Sequence, residues 1–165
     1  MIYKISSRNL LGLRSNILTQ TRGSGLFASR FVGFHEQTAQ IPRLRNGTLL
    51  AFESGISTSF ALETVGERGI SFIGPAVIVY EGMIIGLNNR IEDMEINVCK
   101  GKKLTNVRSE TADIAVKLDP PVILTLEQSL DFIENDELLE VTPKSLRLRK
   151  ILLRKVDRIR AVRKN

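Results

Sequence analysis

Cysteine occurs once, at Cys99, so no disulfide can form within the chain, and neither a CxxC pair nor His/Cys metal spacing exists. Histidine also occurs once, at His35, which removes His-based triads and multi-His metal sites; a connecting position is the plain reading of that residue. No apolar run reaches the roughly 18 residues of a membrane span. The sequence holds no G-x-x-x-x-G-K-[ST] loop, so nucleotide hydrolysis has no phosphate cradle here. Gly23-Ser24-Gly25-Leu26-Phe27-Ala28 does fit G-x-G-x-x-A, but that fingerprint needs a strand before and a helix after, and the patterning around it runs the other way. Glu53, Glu63, Glu67, Glu81, Asp93 and Glu95 show nothing that separates catalytic carboxylates from surface charge. Tyr3, Tyr80 and the seven Phe sit mostly in apolar runs, so no base-stacking platform is evident. No catalytic residue and no metal site is assigned, and this stretch of chain is not read as an enzyme.

Charge of one sign is also missing regionally. Residues 1–35 hold five basic and no acidic groups, whereas residues 119–140 hold seven acidic and no basic ones. Residues 144–165 hold ten Lys/Arg and one Asp, so the net +6 is a C-terminal feature with local islands, a distribution that suits an anionic partner such as RNA. The sharpest island is Lys100-Gly101-Lys102-Lys103-Leu104-Thr105-Asn106-Val107-Arg108, four cations with no acid and no periodicity. It reads as a loop held out for phosphates, with lysine point charges, the planar Arg108 fork and the neutral donors Thr105 and Asn106. A solvated surface loop is the blander reading, and charge alone does not separate the two.

The 165 residues and 42% hydrophobic content are enough for a real core. Residues 2–5 alternate like a strand end, Ser7 can cap a helix over about 8–20 with Leu10, Leu11 or Leu13, Ile17 and Leu18 on its apolar face, Gly23 can end it, and 26–34 reads as a second strand. From 36 onward short apolar runs alternate with Gly, Pro and Asn, predicting strands at 47–52, 70–73, 76–79, 83–87, 96–99 and 115–118. A helix is expected at 58–68, a second one capped by Thr125 with Gln128 closing a capping box, and a hairpin from 138–141 and 145–151 about Thr142-Pro143-Lys144. On that last arm Arg147 and Arg149 share one side. Leu152, Val156, Ile159 and Val162 then fall at helical spacing among Arg154, Lys155, Arg158 and Arg160, a basic amphipathic helix. The fold class is α+β.

The basic loop belongs to a longer series: Thr21-Arg22-Gly23-Ser24-Gly25, Arg45-Asn46-Gly47, Glu67-Arg68-Gly69, residues 79–86 (VYEGMIIG), the loop itself, Leu126-Glu127, Asp136-Glu137-Leu138 and residues 140–150 (EVTPKSLRLRK). In this order the series resembles the C-terminal part of the BipA/TypA ribosome-associated translational GTPases, over about residues 2–153. The resemblance implies three units: residues 1–35 as the C-terminal half of a ferredoxin-like domain, 36–153 as the family's C-terminal domain, and 154–165 as a basic tail. Residues 1–34 have the acid-free, Arg- and Ser-containing composition of an organellar transit peptide, but because they match the family they are read as fold, with Met1 expected to be a fragment start.

What the resemblance implies for function is docking at the ribosomal A-site region, with the ribosome, large-subunit rRNA and the acceptor end of tRNA as partners and no membrane or disulfide partner. It also implies a link to large-subunit assembly and to growth under stress or cold, in the cytoplasm or an organelle stroma or matrix. GTP and Mg would belong to an N-terminal domain outside these residues, with no cofactor here. Expected phosphate contacts are Lys100, Lys102, Lys103 and Arg108 in the loop, flanked by Arg90, Lys144, Arg147, Arg149 and Lys150. Asn88-Asn89 replace the acidic and histidine residues common in the family before that arginine, and Ser7 and Asn9 replace its Pro and Gly near the helix start. The rival expectation is a stand-alone RNA-binding or assembly protein without any GTPase.

Overall fold

The computed structural model describes residues 2–10, 13–36, 45–101 and 118–163. Its centre is β1 (Thr48–Ala51), every residue of which is buried. A strand with both faces covered needs core on each side, and two apolar clusters supply it. Leu49 and Ala51 join Ala61, Leu62, Val65, Met83, Ile85, Ile96 and Val98 on one face; Leu50 joins Ile84 and Leu148 on the other, backed by Phe72, Leu124, Phe132, Ile133 and Leu139. After β1 come β2 (Gly55–Ile56), α3 (Ser59–Arg68), β3 (Gly69–Ser71), β4 (Ile78–Val79), β5 (Met83–Asn88) and β6 (Met94–Ile96), then α4 (Leu126–Phe132), β7 (Glu137–Val141), β8 (Leu146–Lys150) and α5 (Lys155–Val162). Helices α1 (Ser7–Leu10) and α2 (Leu13–Gln20) precede them all. The main sheet runs β6-β1-β5-β8-β7 with β3 also on β5, and β2 pairs with β4 apart from it. β1 is antiparallel to β5 and parallel to β6.

The local chemistry explains the elements. Thr58 caps α3 by accepting from the Ala61 amide, and Ala61, Leu62 and Val65 turn inward at helical spacing. Thr125 and Gln128 close the expected capping box on α4. Between β4 and β5 the chain turns at Gly82 with φ +80, and a Cβ there would lie 2.6 Å from the Leu153 carbonyl oxygen, so both backbone angle and space require glycine.

Two expectations need correcting. Neither 2–5 nor 26–34 is a strand: Ile2, Tyr3, Leu26, Phe31 and Phe34 are exposed, although the expected helix is present as α1 and α2 and ends at Gly23, φ +84, whose amide reaches the Leu18 carbonyl. An alternating pattern becomes a strand only beside a partner strand, and no strand of the described residues lies against either segment. The short β2 was not foreseen, since two residues carry no period. The strand expected at 115–118 falls mostly outside the described residues.

Candidate RNA-binding site

The basic loop is launched from the end of the β6 segment. Val98 is buried and its carbonyl accepts from the Thr58 amide, while the Thr58 hydroxyl donates to the Lys100 carbonyl at 2.7 Å. The chain is therefore clamped to the start of α3 up to Lys100, and the Lys100 side chain is exposed. Lys102, Lys103 and Arg108 lie outside the described residues. Just before the clamp, Cys99 is half-buried, and burial, then the Glu53 carboxylate, pushes its thiol up from the ordinary value. Both effects favour the neutral thiol over the nucleophilic thiolate.

Arg90 stands at the other end of the same strand pair. Its carbonyl accepts from Gly47, immediately before β1, whereas Lys100 lies beyond the end of β1; because β6 is parallel to β1, the two cations flank opposite ends of that pair. The expected site is thus not a single patch. Arg90 lines a recess of about 350 Å³ with Glu67, Arg68, Asn88, Asn89 and Met94.

On the hairpin, Lys144 is exposed at the turn, which Thr142 and Ser145 close through side-chain and backbone hydrogen bonds. Arg147 is half-buried opposite Glu140. Arg149 donates to Glu140 at 2.7 Å, and Glu140 also accepts from the Tyr80 hydroxyl at 2.7 Å. The side expected to be basic is therefore partly neutralised. Burial first, then the bond to Glu140, holds the Tyr80 phenol well above its ordinary value.

Lys150 is the clear correction. Its residue is fully buried, and its ammonium lies 2.8 Å from Asp93, 2.8 Å from Asp136 and 2.9 Å from Glu137. Burial alone would lower its pKa, but the hydrogen bonds to Asp136, Asp93 and Glu137 outweigh it and the net shift is upward. Such an ammonium is occupied internally and is not offered to RNA. Asp93 precedes β6 and Glu137 begins β7, the two ends of the strand order, so the sheet must curl enough for one lysine to tie them. Arg45 adds a second clasp, pairing with Glu137, donating to the Phe132 carbonyl at 2.8 Å and lying 4.0 Å above the Phe132 ring. Strand alternation placed Lys150 with Leu148, on the inner side; the run of basic neighbours hid that signal.

In the tail, Arg158 pairs with Glu95 and Lys155 approaches the same carboxylate at 3.0 Å, so one side of α5 is anchored to β6. Val156, Ile159 and Val162 are exposed. Among the described residues no group of three or more His, Cys, Asp or Glu could hold a metal, and no helix is long and apolar enough to cross a membrane. Arg68, the last residue of α3, is the recess cation that is absent from the expected phosphate contacts.

Comparison with known proteins bears on the whole of this frame. The model of the TypA/BipA C-terminal domain matches residues 46–155, from just before β1 to the first residue of α5. The chain is 45% identical over 162 residues to the large ribosomal subunit assembly factor BipA of Escherichia coli (strain K12), covering 98% of this chain and 27% of that protein. It is 43% identical over 154 residues to the same factor of Synechocystis, covering 93% and 26%. With the Buchnera aphidicola factor it shares 45% identity over 155 residues, 93% of this chain and 25% of that one. The chain therefore spans about a quarter of the length of the curated relatives it matches, and it belongs to the TypA/BipA family, of which it carries the C-terminal domain.

Proposed function

We propose that these residues are the ribosome-binding part of a large-subunit assembly factor, docking at the A-site region with the Lys100–Arg108 loop directed toward large-subunit rRNA and the tRNA acceptor end, in support of growth under stress or cold. The observation that carries this reading is the 45% identity over 98% of the chain with a protein named for large-subunit assembly. The exposed Lys100, Arg90 and Lys144 are consistent with it, and Lys102, Lys103 and Arg108 join them by sequence. A cytoplasmic location follows from the same reading. GTP hydrolysis would lie in residues beyond these, so calorimetry of this chain with GTP or GDP should give no saturable heat.

The test is salt-dependent binding to isolated large ribosomal subunits. Replacing Lys102, Lys103 and Arg108 with Ala should lower the slope of log affinity against log salt by roughly two to three, at about 0.7 to 0.9 per phosphate contact. The matched control removes Arg154, Arg160 and Arg163, leaving the anchored Arg158 in place. Equal loss in loop and tail variants would mean that binding senses net charge only, and the loop would lose its role.

A further inference from the structure

We propose that the recess lined by Glu67, Arg68, Asn88, Asn89, Arg90 and Met94 takes a single nucleotide of an RNA chain, its phosphate held between Arg68 and Arg90 and its base received by Asn89 and Glu67 against Met94. The inference rests on the RNA-binding reading and gives it a second, separate contact.

The backbone here is fixed independently of any ligand. The Asn89 amide donates to the Arg68 carbonyl at 2.9 Å, joining the end of α3 to the end of β5. The Gly47 amide donates to the Arg90 carbonyl at 2.9 Å, and the Asn88 amide to the Gly47 carbonyl at 2.8 Å. Asn88, only 2% exposed, is spent inside the frame: its side-chain amide donates to the Glu92 carbonyl at 2.6 Å and its side-chain oxygen accepts from the Arg90 amide at 3.3 Å. The Asn46 side chain holds the Asn89 carbonyl at 3.2 Å. The main chains that carry both arginines are therefore tied down while their heads are not. Among the described residues neither the Arg68 nor the Arg90 guanidinium has a hydrogen-bond or ion-pair partner, in contrast to Arg45, Arg149 and Arg158, each of which meets a carboxylate.

Two free guanidinium forks at one recess match a phosphodiester, which accepts bidentate bonds. The rest of the lining selects among anions. The Glu67 carboxylate repels a small free anion but accepts from a base edge that carries an amino or imino hydrogen, while the Asn89 side-chain amide, also unpartnered among the described residues, both donates and accepts. Half-buried Met94 supplies a polarizable apolar wall for an aromatic ring. About 350 Å³ lies at the small end of the range for ligand pockets and suits one nucleotide better than a helical segment. The base must be unstacked, so the partner is a loop, bulge or end of RNA rather than continuous duplex.

The experiment uses the full chain and isolated large ribosomal subunits, with arginine side-chain Nε–Hε NMR signals read in parallel during titration with short single-stranded RNA. R68Q/R90Q should keep the unfolding midpoint, lower the salt slope by about 0.7 to 0.9, as one phosphate contact is lost, and weaken binding roughly uniformly over RNA sequences. N89A should keep the salt slope but lower affinity and relax base preference. In the wild type both arginine signals should move with RNA and stay in place with inorganic phosphate alone. If the wild type binds subunits and R68Q/R90Q binds identically with the same slope, the recess is not a site, although the loop reading survives. If the wild type binds neither subunits nor RNA, the functional reading fails first. Displacement of RNA from the arginine signals by an oligoglutamate peptide at equal concentration would assign the recess to acidic protein segments and overturn the proposal.

Discussion

Residues 2–36 and residues 45–101 share the same raw material, short apolar runs broken by glycine and polar residues, yet they end in opposite states. Leu49, Leu50, Ile84 and Ile85 are at most 2% exposed, while Ile2, Leu26 and Phe34 are at least 96% exposed. The difference is partnership. β1 has β5 on one edge and β6 on the other, with apolar clusters on both faces; the N-terminal runs have the hydrophobicity of strands but pair with no strand among the described residues. Helix α2 can form there because its hydrogen bonds close within itself, and it stops cleanly at Gly23. Burial near 25 cal/mol per Å2 is the main source of stability, so the two regions should respond to substitution on different scales.

The largest contrast is expected from charges. Lys150→Met should cost about 3–5 kcal/mol, because Glu137, itself buried, would be left with fewer partners inside the fold; Lys4→Met in the exposed N-terminal segment should cost within about 0.5 kcal/mol. Urea unfolding measures both, and equal effects would show that the buried ion cluster is not what closes the curled sheet. The pH dependence has a defined sign. Lys150 has a folded pKa above its ordinary 10.5, so its contribution is complete below that value and is lost as pH rises through the higher folded value. Tyr80, raised from 10.0, acts in the same direction, since its neutral form is the one the fold holds. Unfolding midpoints should therefore fall on the alkaline side, and Lys150→Met should remove part of that fall.

Next in size is Gly82→Ala. Positive φ costs a non-glycine residue roughly 1–2 kcal/mol, and the new Cβ would press on Leu153, 2.6 Å from its carbonyl oxygen. A total of about 2–3 kcal/mol is expected. At Gly23, where φ is also positive but no atom lies within 4 Å of the new Cβ, Ala should cost global stability far less. Thr125→Ala, which opens the capping box of α4, should cost about 1 kcal/mol in the same assay.

How legible this was in the sequence differs along the same boundary. The helix at 58–68, the Thr125 cap, the hairpin and most strands of the sheet follow from period, caps and turn residues, because in that region local pattern and tertiary partner agree. Residues 2–5 and 26–34 misled because alternation reports the capacity to pair and not the presence of a partner. The site divides similarly. Arg90 and Lys144 are both exposed. Lys150, one place beyond Arg149 in a run of basic residues, points to the other side of β8; two-residue alternation carried that information, and only the carboxylates of Asp93 and Asp136, distant in sequence from each other, show what the side chain does. The recess of Arg68 and Arg90 could not be read at all, since it exists only because β3 pairs with β5 and brings the end of α3 beside Asn88 and Asn89.

The smallest expected effect is the one that most sharpens the contrast. Leu26→Ser and Phe34→Ser replace side chains that are 98% and 96% exposed, so neither removes buried area, and each should change the free energy of unfolding by within about 0.5 kcal/mol. Leu49→Ser, at 0% exposure, serves as the reference and should cost several kcal/mol, the transfer term plus the cavity and an unpaired hydroxyl. The same two N-terminal variants should reduce concentration-dependent light scattering, because exposed apolar runs with unpaired backbone edges are association sites. Phe34 also meets Phe31 edge to face at 5.2 Å, so Phe34→Ser removes the only described ring contact of this segment and should raise local hydrogen exchange at 31–35 without altering exchange at 47–52. If either variant instead lowers the global unfolding midpoint by as much as Thr125→Ala, residues 26–34 contribute to the cooperative fold, and the separation between the two regions would have to be withdrawn.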